Sequence, residues 1–144
     1  MRISDILRTK GASVVTIAPT EPVAALVKRL AEHNIGAVVV SGDGTSVDGI
    51  VSERDVVRSL AGGPEPLQAA VSTIMTTDVR TCLPDDSVDQ LMLLMTQHRI
   101  RHLPVVTEDG EVAGIVSIGD VVKGKIGQLE FEREQLEGYI TSTR

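Results

Sequence analysis

The chain has 144 residues and a formal net charge of −6; 42% of its residues are hydrophobic and 24% are charged. These values are ordinary for a globular protein made of one domain or of two small lobes that share a core. Aromatic residues make up only 1%, which effectively excludes single-stranded nucleic-acid binding by base stacking. The negative charge further disfavours nucleic acid or an anionic membrane as a partner.

The cysteine content and the apolar runs limit the class of protein further. With Cys82 as the single cysteine, no intrachain disulfide and no cysteine-rich metal site can form. Because Cys82 lies in a stretch of alternating apolar residues, we expect its side chain to be buried and to pack as a small hydrophobic group. The N-terminus has no apolar signal region, and no apolar run approaches the roughly 18–20 residues of a membrane span. We therefore expect a soluble, cytoplasmic protein.

In the first half of the chain, short apolar runs flank one amphipathic segment. Apolar residues at positions 23, 26, 27 and 30 have helical spacing. The all-apolar run 35–40 predicts a strand buried on both faces, and the Gly-, Asp- and Ser-rich residues 41–46 predict a turn. The predicted elements are a helical turn at 3–7, a strand at 14–17, a helix at 23–32, strands at 35–40 and 47–52, and a helix at 55–60.

The second half follows the same order after a Gly- and Pro-rich break at residues 61–66. The predicted elements are a helical turn at 71–75, a strand at 79–83, a helix at 88–97, strands at 103–106 and 112–117, and a helix from Asp120 to about Ile140. The last helix carries apolar residues at 122, 126, 129, 136 and 140. This stripe favours packing or dimerisation; alternatively, the helix covers its own lobe.

One stretch of the chain occurs twice. Residues 49–57 read GIVSERDVV and residues 114–122 read GIVSIGDVV, an offset of 65 residues from Gly49 to Gly114. The same offset relates residues 14–60 to the second half without a gap. Such self-similarity indicates a repeat architecture. The opening helical turns match at an offset of 68, so the first lobe has three extra residues around 10–12. The predicted domains are repeat 1 at 1–62, a connection at 63–70, repeat 2 at 71–126 and a helical tail at 127–144.

Each copy reads as a strand, a turn and the start of a helix. The Ile-Val pair suits a buried strand, serine is a preferred helix N-cap, and an acid in the first turn suits the helix dipole. Free N–H groups at such a helix start can hold an anion such as phosphate, and the aspartate can accept hydrogen bonds from a sugar diol. The alternative is that serine and aspartate only cap the helix. Two copies in register favour a pair of ligand sites.

Three features together resemble the cystathionine β-synthase (CBS) domain family. They are the two copies of Gly-h-h-Ser-x-x-Asp, where h is an apolar residue, the segment Ile74-Met75-Thr76, and the segment Arg101-His102-Leu103-Pro104-Val105-Val106. The resemblance extends from Ile3 to about Lys125, and two copies are similar to a CBS pair, or Bateman module. It implies an α/β (α+β) fold of two tandem pseudo-symmetric lobes, each a three-stranded sheet packed with two helices. No catalytic domain is left over.

The resemblance implies a regulatory module that is not an enzyme and needs no cofactor or metal. Such modules bind AMP, ADP or ATP, and sometimes NAD(H) or S-adenosylmethionine, in two clefts between the lobes. In the family the aspartate holds the ribose hydroxyls and the serine lies beside ribose or phosphate. The matching residues here are Ser52 and Asp55 in one cleft and Ser117 and Asp120 in the other. The segments that border adenine match Gly36, Ala37 and Val38, His102, Leu103 and Pro104, and the strand residues Thr16 and Thr81.

The two copies differ at positions that matter for a ligand. The first motif has Arg54 before its aspartate, a possible phosphate partner, where the second has Gly119. We expect Arg99, Arg101 and His102 to supply basic groups near the second cleft. The affinities of the two clefts should therefore differ, with the second favoured for its fuller motif.

Two other functions stay open at this stage. Phosphate-loop, dinucleotide-binding and metal-ligand spacings are absent from the sequence, which leaves little support for a small enzyme acting on a nucleotide. A structural or interaction module without a physiological ligand is the second alternative. The favoured interpretation is an adenosine-nucleotide sensor that forms a homodimer and passes its occupancy to a regulated protein partner.

Overall fold

The structure is a computed structural model that describes residues 1–11 and 13–142. Ala12, part of the predicted insertion, and the last two residues of the predicted tail lie outside the described residues. The helices are α1 (Ile3–Lys10), α2 (Val23–His33), α3 (Glu53–Ser59), α4 (Val88–His98) and α5 (Ile118–Ser142), and the strands are β1 (Thr16–Ile17), β2 (Ala37–Val40), β3 (Gly49–Ser52), β4 (His102–Val106) and β5 (Val112–Ser117). Short 3-10 turns at Leu60–Gly62, Glu65–Gln68 and Val71–Thr73 connect the two repeats.

The two sheets repeat each other in register. In the first, β2 pairs parallel with β1 and antiparallel with β3, where Val38 lies opposite Val51. In the second, β4 pairs antiparallel with β5, where Leu103 lies opposite Val116, again at the offset of 65. The order of elements confirms the predicted α/β fold of two similar lobes.

The opening strand of the second lobe is shorter than predicted. The predicted strand at 79–83 is reduced to one bridge, in which Cys82 N donates to Pro104 O at 3.0 Å and Val106 N donates to Cys82 O at 2.9 Å. Two residues earlier the ladder would need the N–H of residue 104, and proline has none. The first lobe has Val39 at that position, and β1 there includes Thr16.

Each lobe has its own aliphatic core, because aromatic residues are nearly absent. The first core contains Leu26, Val38 and Val51, and the second contains Met95 and Leu103. Cys82 is 6% exposed within the second core, which confirms the predicted buried position. Burial, followed by the charge of Asp86, raises the pKa of its thiol to about 12, so it stays protonated and packs as a hydrophobe.

The segments that lead into the repeats are exchanged between the lobes. Ile3 and Ile6 of α1 are buried in the core of the second lobe. Conversely, Val71 is buried in the first core, with Ile74 and Met75 packed against it. Each lobe therefore closes its core with a segment from the other half of the sequence. The predicted boundaries at residues 62, 70 and 126 follow the repeat and remain a prediction.

The last helix lies on its own lobe only near its start. Val121 is fully buried in the second core. Every described side chain from Leu129 to Thr141 is exposed. The alternative that α5 covers its own lobe therefore applies only to its first turns.

The exchange of leading segments predicts a large effect from a residue outside the second repeat. Replacing Ile3, which is fully buried, with alanine should lower the free energy of unfolding by about 2–5 kcal/mol, because a cavity opens in the second core. The measurement is urea unfolding followed by far-UV circular dichroism, since the chain has no tryptophan.

Leu93→Ala is the matched control for Ile3→Ala. Leu93 is 58% exposed on α4, and its truncation should cost no more than about 0.5 kcal/mol. Equal, small effects of the two substitutions would contradict the placement of α1 in the second core.

Candidate functional site

The first motif forms a closed set of hydrogen bonds where β3 becomes α3. Asp55 Oδ2 accepts from Ser52 N at 2.8 Å and from Ser52 Oγ at 3.0 Å, and Ser52 Oγ accepts from Asp55 N at 3.4 Å. This is a capping box, which fixes the position of both side chains. The other carboxylate oxygen, Oδ1, has no hydrogen bond with any residue in the described ranges. It is available to a ligand.

The second motif repeats this geometry. Asp120 Oδ2 accepts from Ser117 N at 3.0 Å, and Ser117 Oγ accepts from Asp120 N at 3.1 Å. The first residue of each helix also donates its N–H to the residue just before the other strand of its lobe, Glu53 to Gly36 O at 2.9 Å and Ile118 to Arg101 O at 2.8 Å. Two N–H groups at each helix start are therefore already bonded. The predicted anion site at the helix start has fewer free donors than a bare helix end would offer.

A cavity of about 310 Å³ opens beside the first motif, a volume within the usual range for small-molecule sites. Its walls come from both repeats. Six of the predicted site residues line it: Ala37, Ser52, Arg54, Asp55, Arg101 and His102. The other lining residues are Ile50, Glu53, Arg58, Thr76, Asp78, Val79, Arg80, Arg99 and Ile100.

Five arginines line this cavity: Arg54, Arg58, Arg80, Arg99 and Arg101. Within residues 1–11 and 13–142, none of their guanidinium groups forms an ion pair or a hydrogen bond. Only three acids, Glu53, Asp55 and Asp78, share the cavity. The site thus has an excess of positive charge in a chain whose net charge is −6, and it favours an anionic ligand.

Sequence reasoning missed Arg58 and Arg80. Arg58 follows Arg54 by one helical turn, a spacing that places both on one face of α3. Arg80 directly precedes Thr81 in the segment that was expected to border a base. Both signals were present in the sequence, but nothing in it indicated that the two segments meet.

His102 reaches across to the first lobe beside Gly36. A Cβ atom on Gly36 would lie 3.4 Å from His102 Nε2 and 3.4 Å from Glu53 Oε1, so the two lobes are in van der Waals contact range here. Burial lowers the pKa of His102 below its ordinary value, although the neighbouring Glu53 carboxylate opposes this. The imidazole is therefore neutral at pH 7 and can both donate and accept a hydrogen bond.

The two motifs differ in the charge next to their aspartates. Lys10 Nζ donates to Asp120 Oδ2 at 2.7 Å and to Ile115 O at 2.8 Å. Asp120 and Lys10 line a separate groove of about 360 Å³ between α1 and α5. Burial raises the pKa of Asp120, but the hydrogen bonds from Lys10 and Ser117 outweigh burial and hold it below its ordinary value of 3.8. Asp55 has no such ammonium partner among the described residues.

The basic groups expected near the second motif line the cavity of the first, although His102 also lies near Lys10 and Asp120. Arg99, Arg101 and His102 line the same cavity as Ser52 and Asp55. The reason is that the lobes face each other, so the start of β4 in one lobe is opposite the start of α3 in the other. Their proximity in sequence to the second motif did not indicate that they also line the cavity of the first.

The remaining predicted residues lie within or beside the sheets. Val38 and Leu103 are fully buried in the two cores, so their side chains cannot provide the expected apolar contact and only their backbone is available. Pro104 is buried, and its carbonyl already accepts from Cys82 N. Thr16 is half-buried and accepts from Arg29 through its carbonyl at 3.0 Å, while Thr81 is exposed.

The described residues lack two arrangements that other classes of function require. Over residues 1–11 and 13–142, no group of three His, Cys, Asp or Glu side chains is arranged to hold a metal ion. No helix in that part of the chain is long and apolar enough to span a bilayer.

Comparison with known proteins identifies the family. The sequence model of the CBS domain matches residues 3–62 and 71–127. The chain belongs to the CBS domain family. A CBS-domain containing protein from Agrobacterium tumefaciens, of solved structure, is 46% identical, with a TM-score of 0.81 over 87% of this chain and 99% of that one.

Two related solved structures contain adenosine compounds. A CBS domain protein from Pyrobaculum aerophilum, 29% identical, is complexed with AMP; its TM-score is 0.74 over 83% of this chain and 89% of that one. Another CBS domain pair, 26% identical, is in complex with 5′-methylthioadenosine and S-adenosyl-L-methionine; its TM-score is 0.78 over 89% of this chain and 98% of that one.

The contact between Lys10 and Asp120 predicts a shift that can be measured directly. In Lys10→Met the pKa of Asp120 should rise, because the ammonium that stabilises its charged form is gone. The measurement is a carboxyl-detected NMR titration. Because the pKa is lower in the folded chain, this group stabilises the fold above the unfolded value of about 3.9 and stops doing so as pH falls through the folded value.

Lys123→Met is the matched control for this titration. Lys123 lines the same groove, but it has no part in the lowered pKa of Asp120. An unchanged Asp120 pKa in Lys10→Met would show that the ion pair does not form in solution.

Proposed function

We propose that the chain is a regulatory CBS pair that binds a phosphate-bearing adenosine ligand, such as AMP, ADP, ATP or NAD(H), in the cleft of Ser52 and Asp55. The single observation that carries this proposal is the group of five unpaired arginines beside the free Asp55 oxygen. A nucleotide supplies both partners that this arrangement lacks. Its diol matches the carboxylate, and its phosphates match the guanidinium groups.

Each part of the ligand has a matching group in the cleft. Asp55 Oδ1 accepts from the ribose hydroxyls, and Ser52 lies beside the ribose. The neutral His102, with Ala37 and the backbone near Gly36, borders the adenine. Arg54, which follows the capping serine, joins Arg99 and Arg101 across the cleft in binding phosphate, where guanidinium groups can bond in a bidentate manner.

The charge of the cleft separates two classes of adenosine compound. S-adenosylmethionine carries a sulfonium cation, which five arginines repel, and 5′-methylthioadenosine has no phosphate for them to bind. Phosphates gain from the same charges, so the expected affinity increases from adenosine to AMP and further to ATP.

The second cleft has the same elements. Ser117 and Asp120 are placed to bind ribose. Adenine contacts come from the backbone of the strand segments around Thr16, Thr81, Val38, Leu103 and Pro104. Lys10 already neutralises Asp120, and the arginines lie at the other motif. We therefore place the tighter site at the first motif, although the first lobe has Val39 where the second has Pro104.

The regulatory mechanism is a population shift. A nucleotide that contacts both lobes stabilises one relative arrangement of them, and a partner that binds this arrangement better responds to nucleotide concentration. The proposal includes a homodimer in the cytoplasm, an unidentified regulated protein and no catalytic turnover. A structural module with vestigial sites is the alternative class, and it predicts no response to any adenosine ligand.

The first experiment measures thermal stability of the full chain with adenosine, AMP, ADP, ATP, NAD, NADH and S-adenosylmethionine. A ligand that binds only the folded state adds about 2.7 kcal/mol at a hundredfold excess over its Kd. We expect the melting temperature to rise with the phosphate-bearing ligands and the rise to be lost in Asp55→Asn. The amide preserves the size of the capping side chain.

Asp120→Asn is the matched control for the nucleotide series. Because we place the tighter site at the first motif, this variant should retain most of the shift. A response lost in Asp120→Asn and kept in Asp55→Asn would move the site to the second motif. No shift with any compound would favour the structural module.

The arginine group predicts selective loss of phosphate affinity. Arg99 has a left-handed backbone with φ of 53°, as does its repeat equivalent Asn34 with φ of 51°, so Arg99→Asn suits the local conformation. We expect roughly tenfold weaker ATP binding, about 1.4 kcal/mol, with adenosine binding unchanged. The measurement is isothermal titration calorimetry at two salt concentrations.

Arg8→Asn controls for the change of net charge, since Arg8 is exposed on α1 and lines neither cavity. Equal loss of ATP and adenosine affinity in Arg99→Asn would contradict a phosphate contact.

A further inference from the structure

Helix α5 carries exposed apolar residues at a coiled-coil spacing. Val122, Ile126, Leu129, Leu136 and Ile140 recur at intervals of four, three, seven and four residues. Their exposed fractions lie between 43% and 61%. With Arg133 in the remaining position, they follow the a and d positions of a heptad repeat, which forms the seam between paired helices.

A helix of this kind requires a second surface. From Leu129 to Thr141 the described side chains are all exposed. The two lobes of the chain therefore do not cover the row of apolar residues there, which we call the seam of α5. Isolated helices of about 12–15 residues are marginal in water, and Gly138 lowers the propensity of this one further. Packing of the apolar seam against another helix supplies the missing stabilisation.

We propose that the seam of α5 pairs in antiparallel orientation with the same helix of a second copy of this chain. The proposal names the surface of the homodimer included in the proposed function. It stands on the helix alone and does not depend on nucleotide binding.

The position of Arg133 decides the orientation. In a parallel pair the two Arg133 side chains would meet in the seam, where like charges repel. In an antiparallel pair centred near residue 131, Arg133 lies opposite Leu129 of the second copy. The same register places Val122 opposite Ile140 and Ile126 opposite Leu136, so every apolar seam residue except Leu129 meets an apolar one.

The charges along α5 are complementary in the same orientation. Lys123 lies in the first half of the helix, and Glu130, Glu132, Glu134 and Glu137 lie in the second. Lys125, also in the first half, is already paired with Asp89 of α4 at 2.9 Å, and Glu137 lies 3.8 Å from Arg133 of its own helix. Antiparallel pairing places Lys123 of one copy against the acidic half of the other. Lys123 then flanks the seam opposite Glu137 of the second copy, twice per dimer.

The experiment is sedimentation velocity of the full chain over a concentration series, with Leu136→Asp and Phe131→Asp as a matched pair. Both residues are 61% exposed on α5, but Phe131 lies away from the seam. We expect a dimer for the parent chain and for Phe131→Asp. In Leu136→Asp the dissociation constant should increase at least tenfold, with far-UV circular dichroism of the lobes retained.

Charge reversal tests the orientation. Lys123→Glu and Glu137→Lys should each weaken the dimer several-fold, and the double variant should restore it, because each site faces the other across the antiparallel pair. A monomeric parent chain, a dimer insensitive to Leu136→Asp, or no restoration in the double variant would overturn the proposal. ATP-dependent thermal shifts of the same samples report on the cleft separately, so failure of nucleotide binding is distinguished from failure of pairing.

Discussion

The candidate site depends on one junction, the point where the second strand of each hairpin becomes a helix. There a serine and an aspartate bond each other's backbone N–H groups, and the helix also donates an N–H to the residue just before the neighbouring strand. This arrangement fixes the aspartate against the sheet while leaving one carboxylate oxygen in Asp55 for a ligand. Capping and ligand binding, which the sequence presented as alternatives, are compatible because they use different oxygens of the same group.

The two lobes have similar backbone geometry but different electrostatics. The pairing registers, the capping boxes and the left-handed helix ends at Asn34 and Arg99 all repeat at the same offset. The charged side chains do not repeat. Arginines collect at the first motif, whereas Lys10 binds the aspartate of the second. The scaffold therefore provides two similar clefts, and substitutions at its surface make them unequal.

Much of the fold could be predicted because the repeat constrains it twice. The offset between Gly49 and Gly114 predicted both hairpins, and helical spacing predicted α2 and α4 to within a few residues. The shortened strand at Cys82 was not predicted, because it follows from the missing N–H of a proline in a neighbouring strand. The assembly of the arginine group was not predicted either, since Arg58 and Arg80 meet Arg101 only through the packing of one lobe on the other. Interactions between distant segments are the part that periodicity does not encode.

The exchange of leading segments makes the two repeats dependent on each other. A protein with only one such repeat would leave Ile3 or Val71 without the core that buries it, because that core belongs to the other repeat. Two single-repeat chains could satisfy both cores only by swapping these segments with each other. The present architecture is thus equivalent to a segment-swapped dimer of two repeats within one polypeptide. Within one polypeptide the two repeats are always present in equal number, and their sequences can differ from each other. One cleft can therefore be basic while the other is not.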